Sequence, residues 1–451
     1  MERRRFLTHA GLLGIGVPLG LSRAHGVHGA AAAPLRPSMT DGRRLRGIDG
    51  RRLNAEIAEL RTFGGTPDGG THRVAYSDED LGAREWVLGL MRDAGLRTWT
   101  DAAGNLVGEL QGSDAAIPPL GIGSHIDTVP YGGSYDGTIG VLGAIEIVRS
   151  LQADGTRLRH PLRVYVFQNE EGGKTGSRLL IGAVDPAELD VETASGFSIR
   201  DGIRRVGGNP DDLAAPVMEP GSLAAFLELH IEQGATLERA GVPIGVVEGI
   251  VGIRRWFVTV TGEKNHAGTT PMDQRRDALV TASRLVTAIH ETALGMEGRQ
   301  VATVGRIEVS PGAANVIPES ARFTLEVRDL SMDGIQRVFD AVREAGESMA
   351  ERDGTRVEME PYYLSEAAPA DEGLRRAVEG GADDLGLPHL RLHSGAGHDA
   401  QSMAKLCPMG MVFVPSRGGI SHAPEEFTAP EQITAGVEVL MGALMRADGT
   451  G

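Results

Sequence analysis

The chain has 451 residues, 41% hydrophobic and 24% charged, the profile of a soluble globular protein large enough for two domains. Its formal net charge is −16; the first 33 residues hold four Arg and one Glu, so the remainder carries −19, a surface that repels nucleic acid and anionic membranes. A single cysteine, Cys407, excludes an internal disulfide and a Cys-rich zinc site, so any metal must be held by His, Asp and Glu.

The N-terminus runs from MERRRFLTHAG through a mildly apolar, Gly-containing stretch to an Ala-rich end near residue 33. Basic, apolar and small-residue regions in that order read as an export signal, and Arg-Arg-x-Phe-Leu, from Arg3, resembles the twin-arginine type. The expectation is a protein exported to the periplasm or the medium. The apolar stretch is too short and glycine-rich for a membrane span, and no later one stands out.

After the signal, residues 53–60 and 83–96 read as helices, the second with Trp86, Leu88, Leu90 and Met91 on its apolar face. AAIPPLGIGSHIDT then rises as a strand into His125, VLGAIEIVRSLQ is helical, PLRVYVFQNEE is a strand, and SLAAFLELHIEQG is a strand ending at His230. Such alternation predicts an α/β fold, a mostly parallel sheet with helices on both faces and its ligands at the carboxyl ends of the strands. From about Gly245 the order changes to strand, helix, two strands, helix, strand, ending near TRVEMEPYY. That is the β-α-β-β-α-β order of a ferredoxin-like α+β domain. The expected layout is a signal over 1–33, a catalytic metal-binding domain over 48–244 and 364–447, and an inserted domain over 245–363.

Four expected strand ends carry metal-type ligands. SHIDTVPYGGSYDG offers His125, Asp127 and Asp136 among turn-forming glycines, NEEGG offers Glu170 and Glu171, LHIEQG offers His230 and Gln233, and GGISHAPEE offers His422. Two adjacent glutamates closing a buried strand are costly unless a cation or a proton transfer uses them. A lone histidine after a strand is commonly just a hydrogen-bonded core residue. Several acids and histidines, each at a strand terminus, favour a metal site. Cys407, before a proline and with no base near it in sequence, reads as an inert buried thiol.

In order, HIDTVPYGGSYDG, NEEGG, HIEQG, NHAGTTPM, GAANVIP, EVRD, SGAGHDAQ and SHAPEE resemble the dinuclear-metal aminoacylase and carboxypeptidase superfamily. They are most similar to its hydantoinase/carbamoylase branch of N-carbamoyl-L-amino acid hydrolases, β-ureidopropionase and allantoate amidohydrolase. The resemblance spans residues 48–445.

It implies two divalent metal ions, His125 and His230 on one, Glu171 and His422 on the other, and Asp136 bridging them. Zinc is the first expectation, and Mn, Co or Ni also suit such ligands. Glu170 stays unligated to take a proton from water and return it to the leaving nitrogen, and Asp127 orients His125. Gln233, His266, Asn315 and Arg328 serve substrate, Arg328 by its planar fork for a carboxylate and His266 and Asn315 by polarising the scissile carbonyl. For Arg328 the plain alternative is a surface pair with Glu326 or Asp329. His398 either contacts substrate or orders its loop.

The resemblance further implies that the inserted domain acts as a lid and joins two copies into a homodimer. The implied reaction converts an N-carbamoyl amino acid, or an allantoate-like ureido acid, to amino acid, carbon dioxide and ammonia. An N-acyl amino acid or dipeptide hydrolase shares the metal chemistry. An exported binding protein without activity would be expected to lack one of the ligands, and none is missing. Many relatives follow Glu-Glu-Gly with Arg-Phe where this chain has Gly173, Lys174 and Thr175.

Overall fold

The computed structural model describes residues 47–450 and the paired two-residue strands Met39–Thr40 and Arg43–Arg44; the signal expected over 1–33 lies outside the described residues. Two sheets organise the chain. The larger has nine strands, and at its centre Leu162–Phe167, Leu120–His125, Ala225–Ile231 and Met409–Val414 lie side by side, all parallel. Arg97–Thr100 and Leu106–Leu110 extend it antiparallel on one side. Ile244–Ile250, His389–Ser394 and Ala368–Pro369 complete the other.

Three of the four central strands are buried along their whole length, and in the fourth only Arg163 is partly exposed, as expected when helices cover both faces. Leu227, Leu229, Ile231, Val412 and Val414 pack with the helices Gly50–Leu60, Thr138–Asp154 and Pro430–Asp448. The alternate residues Phe226, Met411 and Phe413 pack on the opposite face with Leu179, Ile199, Ala400 and Met403. The period of two along a strand thus divides one sheet between two apolar clusters.

The second sheet has four antiparallel strands in the order Val301–Ser310, Ser320–Asp329, Gly252–Thr261, Arg356–Ser365. Helices Ala278–Gly295 and Met332–Asp353 pack on it through Leu285, Ile289, Ile335 and Val338, against Trp256, Val258, Phe323 and Leu325. Chain order and strand order together give the ferredoxin-like arrangement. The strand Ile244–Ile250, most of which falls within the span 245–363 expected for the insertion, hydrogen-bonds into the larger sheet. The chain passes between the sheets at Val251 and returns by way of Glu366 and Ala367.

Candidate metal centre and active site

The parallel strands bring their carboxyl ends to one rim. His125 pairs in register with Phe167, the last residue before the Gln168–Asn169–Glu170 turn, and His230 pairs with Phe413, a few residues ahead of the loop that carries His422. Four loops remote in sequence therefore meet at one place.

Asp136 is the centre of that place. Its Oδ1 lies 3.3 Å from His125 Nε2 and 3.0 Å from His230 Nε2. Its Oδ2 lies 3.5 Å from His422 Nε2, and the same nitrogen is 3.5 Å from Glu171 Oε2. One carboxylate thus faces two donor sets, His125 with His230 and Glu171 with His422, each able to converge on a single ion. His422 is the exposed member, with 46% of its side chain accessible, while His125, His230 and Asp136 are buried.

The hydrogen bonds fit these groups for a cation. His125 Nδ1 is 3.0 Å from the Asp127 carbonyl and His230 Nδ1 is 2.9 Å from the Ile231 carbonyl, so each Nδ1 carries its ring's proton and donates it. Both Nε2 atoms face Asp136, and the His230 Nε2 also lies 3.1 Å from the Gly137 N–H. Gly137 has φ +62°, and a Cβ there would stand 2.4 Å from His125 Nε2, so only glycine fits this turn.

The charges point the same way. Burial raises Asp136, but His230, His125 and His422 outweigh it and hold the carboxyl well below its usual range. Burial, then Asp136 and Glu170, push Glu171 up to about 10. Burial pushes Glu170 up to about 7 against the opposing pull of His125 and Lys174. Ionising such a cluster at neutral pH takes added positive charge, which bound divalent cations supply.

The Asp127 carboxylate plays a different part from the one expected. It is the main-chain carbonyl of Asp127 that orients His125; the nearest carboxylate oxygen is 3.7 Å from that ring. The carboxylate accepts the N–H groups of Glu170 and Glu171 at 3.2 and 3.1 Å, fixing the turn that presents both glutamates. The reason is geometric: the Asp127 carbonyl, two residues past the strand end, already faces the ring, and the side chain is free to cap the neighbouring turn.

Gln233, with φ +58°, donates from Nε2 to Asp136 Oδ2 at 2.6 Å. Its Oε1 is buried and has no hydrogen-bond partner among the described residues. His398 packs its ring 4.4 Å from that of His230 and bonds Ser394 Oγ at 2.8 Å, so it orders its own loop and backs His230. Glu232, given no role from sequence, caps the helix Thr236–Ala240.

His266, Asn315 and Arg328 stand apart from this cluster. His266 is exposed, its Nδ1 accepting the N–H groups of Gly268 and Thr269, and Asn315 receives the Ala267 N–H at its carbonyl. Arg328, on the small sheet, donates to Glu326 Oε1 at 2.7 Å and across to the Gly395 carbonyl at 2.6 Å, in the His398 loop. Cys407 is a buried thiol whose pKa burial pushes up to about 12.

Two residues that sequence reading passed over complete the site. Glu426 accepts the N–H groups of Tyr135 and Asp136 at 2.9 and 3.1 Å and the Ser421 hydroxyl at 2.8 Å, clamping the loop of the central carboxylate. Glu228, fully buried on the His230 strand, accepts the Ser124 hydroxyl and the Ala400 N–H. An acid two residues before a histidine in an apolar strand was the available signal for Glu228, since both face one side.

Comparison with known proteins agrees with this geometry. The sequence model of peptidase family M20/M25/M40 matches residues 121–446. The chain belongs to this family. It is 39% identical over 400 residues to an N-carbamoyl-L-amino acid amidohydrolase of Geobacillus stearothermophilus, covering 87% of this chain and 97% of the relative. It is 34% identical to an allantoate amidohydrolase of Bacillus subtilis, covering 86% and 96%. Among solved structures, a hydantoinase/carbamoylase family amidase from Burkholderia multivorans superposes with a TM-score of 0.81 at 36% identity, over 89% of this chain and 98% of that one. This M20 chain is accordingly a hydrolase of carbon–nitrogen bonds.

Proposed function

We propose that the protein hydrolyses N-carbamoyl-L-amino acids or allantoate-like ureido acids, one water and one ureido group giving the free amine, carbon dioxide and ammonia. The observation that carries this reading is Asp136 facing His125 and His230 on one oxygen and Glu171 and His422 on the other, with Glu170 beside them and outside both ligand sets. The relatives named above for carbamoyl and allantoate substrates support the choice of bond.

These residues would hold two divalent cations, zinc first, which would polarise a carbonyl oxygen and ease the ionisation of water. The chain's own groups do the rest. Glu170, 3.9 Å from His125, takes the proton of the attacking water and returns it to the leaving nitrogen. Asp127 and Glu426 hold the glutamate turn and the Asp136 loop still, so the donors need not reorganise as charge develops. Gln233 offers its unpartnered Oε1 to a ureido N–H, and Arg328 offers its fork to the substrate carboxylate. His266 and Asn315, on the small sheet's appended ladder, reach the carbonyl oxygen when the small sheet closes or from a second copy.

The Arg-Arg-x-Phe-Leu sequence supports export. A long edge strand, Val301–Ser310, with Val301 and Ile307 exposed, supports pairing into a homodimer. Ammonia and amine release by the metal-loaded protein, over a panel of N-carbamoyl-L-amino acids, allantoate, N-acetyl amino acids and dipeptides, tests the reading. Ammonia appearing with the free amine is the expected result; amine without ammonia moves the enzyme to the acylase or peptidase side. Glu170→Gln should keep both ions and lose nearly all turnover, on the order of a hundredfold or more.

A further inference from the structure

Both places where the chain passes between the two sheets are held by one side chain. Gln401, on the short helix Asp399–Met403, donates from Nε2 to the Glu366 carbonyl at 2.7 Å, to Ser365 Oγ at 3.2 Å and toward the Val251 carbonyl at 3.5 Å. Glu366 lies in the returning segment and Val251 in the outgoing one. The acceptor atom of the same amide, Oε1, receives Lys174 Nζ.

Lys174 leads back to the chemistry. Its N–H donates to the Glu170 carbonyl at 2.8 Å, and its left-handed backbone, φ +59°, turns the chain from the glutamate pair into the helix Thr175–Leu180. The side chain is half-buried, and its ammonium is attracted by Glu170 and Asp399. The loop that carries Gly395 and His398 lies directly on it, since a Cβ on Gly397 would stand 3.0 Å from Nζ. Even partial burial of a lysine costs free energy unless its ammonium is hydrogen-bonded, as it is to the Gln401 amide here.

We propose that Lys174 and Gln401 form a positioning link that sets the small sheet against the glutamate turn. Glu170 rides on the turn at one end of the link. Arg328 rides on the small sheet at the other, paired with Ile253 just past the outgoing crossing, and Ile253 pairs in turn with Ser365 just before the returning one. The link therefore fixes the span between the group that takes the proton and the group that takes the substrate carboxylate, a span that a substrate of fixed length must match. This rests on the roles given above to Glu170 and Arg328.

The test uses the full chain loaded with zinc. Lys174→Met breaks the link at the turn. Gln401→Glu keeps an acceptor for Lys174 but has no N–H for Glu366 and Val251, breaking it at the crossings. Each should lower kcat about tenfold with both ions still bound, and the double variant should fall no lower than the weaker single, as residues acting as one unit do. Lys174→Arg should restore kcat to within about threefold.

Amide hydrogen exchange supplies the readout that local packing would not move. Lys174→Met should speed exchange at Gly252 and Ala367, neither of which Lys174 touches, by about tenfold. Losses that add to about a hundredfold in the double variant, or unchanged exchange at the crossings, would overturn the link. Faster exchange with unchanged kcat would overturn its part in turnover and leave the roles of Glu170 and Arg328 to Glu170→Gln and Arg328→Ala, which test them separately. If Lys174→Met does not fold, Gln401→Glu carries both measurements, with the same outcomes.

Discussion

Asp127→Asn isolates the device that presents the paired glutamates. The two carboxylate oxygens accept the Glu170 and Glu171 N–H groups at 3.2 and 3.1 Å, while His125 depends on the main-chain carbonyl that Asn retains. An amide can accept one of those N–H groups; its NH2 must face the other, donor against donor. A hydrogen bond to an ionised group contributes about 1.5–3 kcal/mol, so the variant loosens the turn by about 2 kcal/mol, or roughly thirtyfold. That loss divides between Glu171, as weaker binding of the second ion, and Glu170, as slower turnover at saturating metal. Calorimetric titration of chelator-stripped protein with zinc reads the first, and kcat in excess zinc reads the second. Wild-type affinity together with wild-type kcat would refute the reasoning, and a loss confined to the ion at His125 would return the carboxylate to that ring.

Three other outcomes are expected. Gly137→Ala places a methyl 2.4 Å from His125 Nε2 on a backbone of φ +62°, and should abolish binding of the ion shared by His125 and His230 while the ion at Glu171 and His422 is retained, as metal analysis would show. Arg328→Ala should raise KM for carboxylate substrates about tenfold or more with kcat nearly constant; an unchanged KM reassigns the carboxylate contact. Glu438 is half-buried on the last helix with one oxygen unpartnered among the described residues, and burial pushes its carboxyl up to about 7. Its folded pKa lies above the unfolded value, so the native state gains stability from its proton below about pH 4.5 and loses that gain as pH rises through about 7. Glu438→Gln should therefore be more stable than the parent at pH 8, by about 2 kcal/mol after allowance for partial exposure, and equal to it at pH 4, as urea midpoints would show.

Much of this molecule could be read before its structure, because the signals were local. Apolar runs ending in His125, Phe167 and His230 alternate with helices, and glycine-rich turns mark the strand ends, so the parallel sheet and the rim followed from periodicity. The βαββαβ order did the same for the small sheet. What sequence could not supply was contact between segments far apart. Glu426 reaches back 290 residues to the Asp136 N–H, and Gln401 meets Lys174 across 227. The resemblance gave Asp127 the task of orienting His125, but nothing in the sequence says whether carbonyl or carboxylate faces the ring.

The place of Met409–Val414 in the larger sheet has a consequence for biosynthesis. That strand slots between Ala225–Ile231 and Ile244–Ile250, made more than 150 residues earlier on the ribosome. Until it emerges, both of those strands expose a bare edge, and Asp136 and Glu171 still lack His422. A chain released early thus offers two sticky ribbons and a half-built acidic pocket, inviting aggregation or proteolysis. The arrival of this strand and the loop behind it closes the sheet and brings His422 to the site in a single step.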